Sequence, residues 1–301
     1  MRVFVTGASG HIGTALIPEL QGAGHQAVGL ARSDASAAKI EAAGAEARRG
    51  DLDDLDIIAK TAAESDGVIH LAFRSDLMHA GDAAGVIAAN QRVCAAVGDA
   101  MAGSGKPFVA PSGTLVLWSG GITGRPGTED DIVTDGPLAA AENATVALAE
   151  RGVRASVVRP APVVHSDLDT QGFTPALIGI ARAKGVAGYV GDGANRWPAV
   201  HTRDAARLFR LALESAPAGA RLHAAAEEGV PFRDFAAAIG RHLGVPAVSV
   251  APADAAAHFG FLGMFVGADN PVSSALTRQR FGWVPEGPGL IADLDAGHYF
   301  A

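Results

Sequence analysis

Three glycines spaced three apart, in Thr6-Gly7-Ala8-Ser9-Gly10-His11-Ile12-Gly13, follow directly on the apolar run Val3-Phe4-Val5 and open a helical pattern. A strand that enters a helix through such a turn has few ways to fold. Gly7 permits the tight turn, Gly10 lets the backbone approach a bound group, and Gly13 allows the helix to pack on the strand. The N–H groups that the helix leaves free at its start favour an anion. With a strand before it and a helix after it, the triad is specific for a dinucleotide pyrophosphate.

The rest of the first half repeats the same rhythm. Further apolar runs at 26–31, 45–49, 67–71, 107–111 and 154–159 predict strands, separated by helical patterns through 43, over 80–103 and over 137–151. Strands alternating with helices call for an α/β, Rossmann-type doubly wound parallel sheet. Its ligands bind along the edge formed by the strand C-termini. After residue 160 the rhythm breaks into Gly-, Pro- and aromatic-rich stretches, with helices near 204–215 and 232–243 and an irregular tail around 270–288. The expected division is a dinucleotide domain over 1–160 and, over 161–301, mainly a smaller C-terminal substrate lobe, with some segments returning to the sheet.

Net charge is −8 without a basic cluster, which argues against nucleic acid as a partner. Cys94 is the single cysteine, so no internal disulfide forms. Its helical setting predicts a packed apolar thiol in a reducing, cytoplasmic protein. No signal peptide is expected, because Met1 leads straight into a strand, and no apolar run is long enough to cross a bilayer. His11, His70 and His79 lack the i, i+4 spacing of a helical metal pair, so no metal is expected. A small-molecule substrate is the expected partner, and pairing of N-terminal helices in a homodimer is compatible with the pattern.

The Gly-x-x-Gly-x-x-Gly spacing after Thr6 resembles the extended and atypical branches of the short-chain dehydrogenase/reductase superfamily. Gly50-Asp51-Leu52 resembles that family's adenine-contacting element, and Val68-Ile69-His70-Leu71-Ala72 its fourth-strand segment along the cofactor. Val157-Val158-Arg159-Pro160 resembles the strand end that approaches the nicotinamide. The stretch from Gly191-Asp192-Gly193 through Val200-His201 to Asp204-Ala205-Ala206 resembles the substrate lobe of sugar epimerases and related reductases. The resemblance implies cofactor contacts from Gly7, Ser9, Gly10, His11, Ile12, Gly13, Arg32, Ser33, Asp51, Leu52, Leu71, Ala72, Phe73 and Pro160. Where NAD enzymes end the second strand with an acid, this chain has Arg32-Ser33. A guanidinium suits a 2′-phosphate, so NADP(H) is the preferred cofactor, with NAD(H) the alternative if Asp34 serves the ribose.

Reductases of this superfamily use a helical Tyr-x-x-x-Lys, whose ammonium lowers the Tyr pKa. The chain has two tyrosines, Tyr189 and Tyr299, and neither is followed by Lys at that spacing. Counting back from Glu142 puts Leu138 in the Lys position and Thr134 in the Tyr position. Pro111-Ser112-Gly113-Thr114 keeps two hydroxyls, Ser112 and Thr114, as candidates to polarise a carbonyl. His165 and His201 are the candidate replacement proton donors, Asp167 a weaker one, and Asn195 and Trp197 are expected in the substrate pocket. The leading expectation is an NADP(H)-dependent oxidoreductase acting on a small carbonyl or related compound without a catalytic Tyr. The alternatives are a non-catalytic dinucleotide sensor and a nucleotide-sugar-type epimerase or dehydratase.

Overall fold

The computed structural model describes residues 1–301, apart from the side chain of His79, so that the absence of a His79 metal pair lies outside what is described. The elements run β1 (Arg2–Thr6), α1 (His11–Gly22), β2 (Gln26–Ala31), α2 (Asp34–Ala42), β3 (Glu46–Arg49), α3 (Leu55–Ala63) and β4 (Gly67–His70). Next come α4 (Ser75–His79), α5 (Ala83–Met101), β5 (Pro107–Pro111), α6 (Leu115–Ser119), α7 (Pro137–Val146) and β6 (Arg154–Pro160). The remainder is β7 (Val163–His165), α8 (Phe173–Lys184), β8 (Ala187–Val190), β9 (Arg196–His201), α9 (Thr202–Ser215), β10 (Arg221–Ala224), β11 (Glu227–Pro231) and α10 (Phe232–Leu243). It closes with β12 (Ala247–Val250), α11 (Ala255–Phe259), α12 (Ala275–Phe281) and α13 (Leu290–Asp295).

The main sheet has the order β10-β6-β5-β4-β1-β2-β3, parallel throughout. Strand order reverses between β1 and β4, which opens a crevice at their C-terminal ends. One face is covered by α1 and α9, whose Leu16, Leu20, Leu208, Phe209 and Leu213 share one buried core. On the other face α3 and α5 bury Ile58, Ala62, Val93, Val97 and Met101 against Phe4 and Phe108. Cys94 is buried with this second group, and burial raises its thiol to about 11, as a packed thiol should behave.

Segments beyond residue 160 contribute both to the main sheet and to a smaller body at its edge. Strand β10 completes the main sheet beside β6, and α9 packs along α1. What projects from the sheet edge is a smaller body with the three-stranded sheet β11-β9-β7 and the pair β12-β8. Its own core holds Trp197, Phe232, Phe235 and Leu290, with Trp197 edge-on to Phe232 at 5.0 Å. Two local elements also gain definition. The helix expected over 80–103 is α5, and the short helix α4 precedes it, with Gly81 at φ +79° between the two. The tail contains α12, which packs against α9 and β10.

Candidate functional site

The glycine turn has the geometry its residues require. Gly7 lies at φ +70°, and a Cβ there would sit 2.7 Å from the Ala72 N at the end of β4. A Cβ on Gly13 would collide with the Gly7 carbonyl and with Ala8. Gly10 differs, since a methyl there would meet one protein atom, the Gly7 carbonyl oxygen at 3.1 Å. Helix α1 has Gly10 as its N-cap and no side chain capping it, so its first N–H groups are unspent. Ser9, Ile12 and the end of β4 at Leu71 and Ala72 adjoin this space in the chain.

Beside the turn, β2 ends at Ala31, and exposed Arg32 makes no side-chain hydrogen bond or ion pair among the described residues. Ser33 caps α2, accepting from the Ser36 N–H at 3.1 Å. The Asp34 carboxylate is taken up by Arg49 at 3.0 Å. Asp51 accepts from the Asp53 N–H at 3.3 Å in the loop after β3, and its own N–H is held by Asp54.

A cavity of about 140 Å³ opens between the ends of β4 and β5 and the helices α5 and α7. Its walls are mainly apolar and include Leu52, Leu71, Phe73, Val86, Ile87 and Leu138. Its polar groups are Arg74, Asn90, Ser112 and Glu142. Leu138 stands in this wall on the first turn of α7. Thr134 precedes that helix and is exposed, with its hydroxyl on Asp135 at 3.2 Å. The helical pair that would set Tyr over Lys is therefore lost in backbone as well as in side chain.

Two networks fix the cavity's polar groups. Thr6 Oγ1 accepts the Leu71 and Ala72 N–H groups at 3.2 Å each, so its single proton goes to His70 Nδ1 at 2.5 Å. His70 is then protonated at Nε2 and donates to Asn90 Oδ1 at 2.9 Å. That leaves the Asn90 amide donors toward the cavity. Burial lowers His70 to about 4, which keeps the ring neutral. Glu142 is buried and gripped by Arg159 at 2.6 and 2.8 Å and by Arg221 at 2.7 Å. Burial alone would raise its carboxyl, but hydrogen bonds from Arg159, Ser112 and Arg221 bring it below the usual range. Glu142 is thus an anion committed to structure.

Several expected site residues lie elsewhere. Thr114 is fully buried, its hydroxyl accepting from Asn270 at 3.1 Å, so of the two hydroxyls only Ser112 lines the cavity. His165 is buried with Nδ1 2.9 Å from Asp293, and His201 caps α9; neither lines the cavity. Asn195 donates to the Val266 and Ala268 carbonyls, and Trp197 is core, so neither forms a pocket wall there. Both sit where the lobe folds on itself, which spacing alone did not reveal. His11 keeps its backbone in the turn but directs its ring to Thr202 Oγ1 at 2.6 Å. Asn90 was missed. Its sequence signal is one amide on the apolar stripe that α5 forms with Val86, Val93 and Val97.

A pyrophosphate therefore fits the turn: Gly10 leaves it room, and α1 offers uncapped donors. The sequence profile of the NAD dependent epimerase/dehydratase family matches residues 3–224. An uncharacterized protein of Schizosaccharomyces pombe, C2A9.02, is 46% identical over the whole of both chains. Among solved structures, UDP-glucose 4-epimerase of Thermotoga maritima, crystallised with UDP-glucose, superposes with a TM-score of 0.79 at 17% identity, over 100% of this chain and 98% of that one. The dTDP-glucose 4,6-dehydratase DesIV of Streptomyces venezuelae, with NAD bound, gives 0.77 at 20% identity, over 98% and 96%. With the profile spanning most of the chain, and the turn, sheet order and crevice agreeing with it, this protein belongs to the NAD-dependent epimerase/dehydratase family, within the extended and atypical short-chain dehydrogenases/reductases.

Proposed function

We propose that the chain is an NADP(H)-dependent reductase of small, largely apolar carbonyl compounds that works without a tyrosine acid. The observation that carries this reading is the cavity beside the glycine turn, whose mainly apolar wall includes Leu138 and the Ser112 hydroxyl. The bound dinucleotide supplies hydride. The chain's own residues hold and orient the substrate: the Asn90 amide and Arg74 are hydrogen-bond donors on the cavity wall, Ser112 becomes one by turning its single proton from Glu142 to the carbonyl, and Leu138 and Phe73 exclude water from the carbonyl carbon. As the carbonyl oxygen gains negative charge, these donors stabilise it, and the proton comes from water at the cavity mouth, no neutral acid lining the wall. Arg32, without a side-chain partner among the described residues and next to an Asp34 paired with Arg49, supports NADP(H) over NAD(H).

The epimerase and dehydratase reading is weaker, because those reactions need a base where this chain carries Leu138 and Thr134. The test is NADPH oxidation by the purified protein against a panel of aldehydes, ketones and imines. Turnover that falls about tenfold to a hundredfold in Ser112→Ala, with NADPH affinity unchanged, is the expected result. Tight NADPH binding without turnover on any member of the panel would establish a dinucleotide sensor instead.

A further inference from the structure

Behind the glycine turn, away from the cavity, a chain of hydrogen bonds ties the turn to the C-terminal residues. The Tyr299 oxygen accepts the Ser166 N–H at 3.0 Å and donates its proton to Asp169 Oδ2 at 3.2 Å. Ser166 Oγ accepts the Leu168 N–H and donates to Thr202 Oγ1 at 2.8 Å. Thr202 spends its single proton on the His165 carbonyl at 3.1 Å, so it can only accept from His11 Nε2 at 2.6 Å. Every proton in this chain is thereby assigned, and the neutral His11 ring carries its hydrogen on Nε2.

The consequence falls on His11 Nδ1. It is a bare acceptor facing Asp169 Oδ1 at 3.7 Å, and that oxygen already accepts the Gly172 N–H at 2.7 Å. Two lone-pair atoms confront each other, with the Asp169 side chain 1% exposed. One proton between them would turn repulsion into attraction. The groups facing this pair are few. His165, held by Asp293, and His201, near Asp204 and Arg203, stand on the His11 side; His165 and Tyr299 stand on the Asp169 side. Burial, with His165 and His201, pushes His11 down to about 4, and burial raises Asp169 to about 6. At neutral pH the free protein therefore leaves the pair without its proton. His11 is also the first residue of α1, so its ring shares the local field of the N–H groups that meet a phosphate.

We infer that His11 and Asp169 together take up one proton when a dinucleotide pyrophosphate settles on the glycine turn, making the pair a proton-linked clamp on the cofactor. The inference rests on the dinucleotide reading of that turn. A pyrophosphate dianion beside α1 raises the pair's affinity for a proton by about tenfold or more. His11 then becomes an imidazolium between two anions, the phosphate and Asp169.

The experiment is titration calorimetry of the full chain with NADH, whose pyrophosphate does not titrate near neutrality, unlike a 2′-phosphate with its pKa of about 6. Run in buffers of different ionisation enthalpy at about pH 6.5, midway between the free and bound values, it reads proton uptake directly, and about half a proton or more is expected. Uptake should vanish near pH 5, where Asp169 already holds the proton, and Kd should weaken by about tenfold or more in total as pH rises from about 6, levelling off once the bound pair has lost its proton. His11→Asn and Asp169→Asn should each bind with no uptake and a flat pH profile, while His201→Asn keeps the uptake. NADH binding with no buffer dependence and a flat Kd overturns the clamp and leaves the dinucleotide reading standing. Uptake that survives in both pair variants, or disappears only in His201→Asn, overturns it as well. If neither NADH nor NADPH (tested above about pH 8, where its 2′-phosphate is fully ionised) binds, the reading and the clamp fail together.

Discussion

At the scale of single residues, the chain's departures from its family are concentrated where chemistry would be. Arg32 lies at the end of β2 with its guanidinium unpaired among the described residues, while the neighbouring Asp34 is spent on Arg49. Arg32→Asp should move cofactor preference from NADPH toward NADH by about tenfold or more, since it exchanges a charge-assisted donor for a like charge facing the 2′-phosphate. Fluorescence titration with both cofactors reads this directly, and unchanged affinities for both would remove Arg32 from the site. Residue type alone made Arg32 stand out in the sequence, because the expected partner was a single missing carboxylate. His165 and His201 could not be judged in that way. The imidazole of His165 is tied to Asp293 on a helix far along the chain, so its commitment to structure appears only once α13 is packed. Asn90 was hidden for a related reason: its orientation comes from His70 and Thr6 on two other strands.

At the scale of elements, the same sequence motif serves two separable purposes. Gly13 is needed for α1 to pass close over β1, because a Cβ there would collide with the Gly7 carbonyl. Gly10 is less constrained, since a Cβ there would meet just the Gly7 carbonyl oxygen, tightly, at 3.1 Å. Gly13→Ala should therefore lower the melting temperature clearly. Gly10→Ala should lower it clearly less but weaken dinucleotide binding by about tenfold or more, through a methyl set in the phosphate's space. Equal loss of stability in the two variants would contradict this division. Helix α7 is pinned in a different way, by Glu142 reaching both Arg159 on β6 and Arg221 on β10. Glu142→Gln leaves two guanidinium groups short of their anion and should cost about 3–5 kcal/mol in urea unfolding; a cost below about 1 kcal/mol would show the cluster is dispensable. The strands and the turn were legible because they depend on local spacing. The start of α7 at Pro137 was legible for the same reason, and with Gly136 at φ +96° before it, Thr134 falls outside the helix.

At the scale of the whole molecule, the sheet is assembled from both halves of the chain. β10 and α9 come from beyond residue 160, and they bury His223 and Phe209 inside the dinucleotide-binding body. The change in rhythm after residue 160 marks where the smaller body begins, but which later segment returns to the sheet has no local signature, because a parallel strand added after a long excursion looks like any other short apolar run. This interleaving makes acid stability a property of the complete fold. His70 under β1 and His223 on β10 are both buried and neutral, each lowered to about 4 chiefly by burial. His223 Nδ1 donates to the Ser273 carbonyl at 2.8 Å, so its Nε2 accepts from Arg159 at 3.2 Å; a second proton would set it against a guanidinium. The unfolded chain protonates such histidines near their ordinary value of 6.5, whereas the folded chain does so only near 4. Stability contributed by the neutral rings is thus complete above 6.5 and is lost as pH falls from there toward 4. His11 behaves in the same sense, but Asp169, raised to about 6, takes up its proton in the fold and offsets it below that pH. The two remaining histidines set a slope of up to about 2.7 kcal/mol per pH unit at its steepest. Urea unfolding at about pH 7 and about pH 5 should show the midpoint falling with acid, at an unchanged m-value. A midpoint that stays level across this interval would mean that His70 and His223 accept protons without unfolding, and that β4 and β10 are less tightly closed than their burial implies.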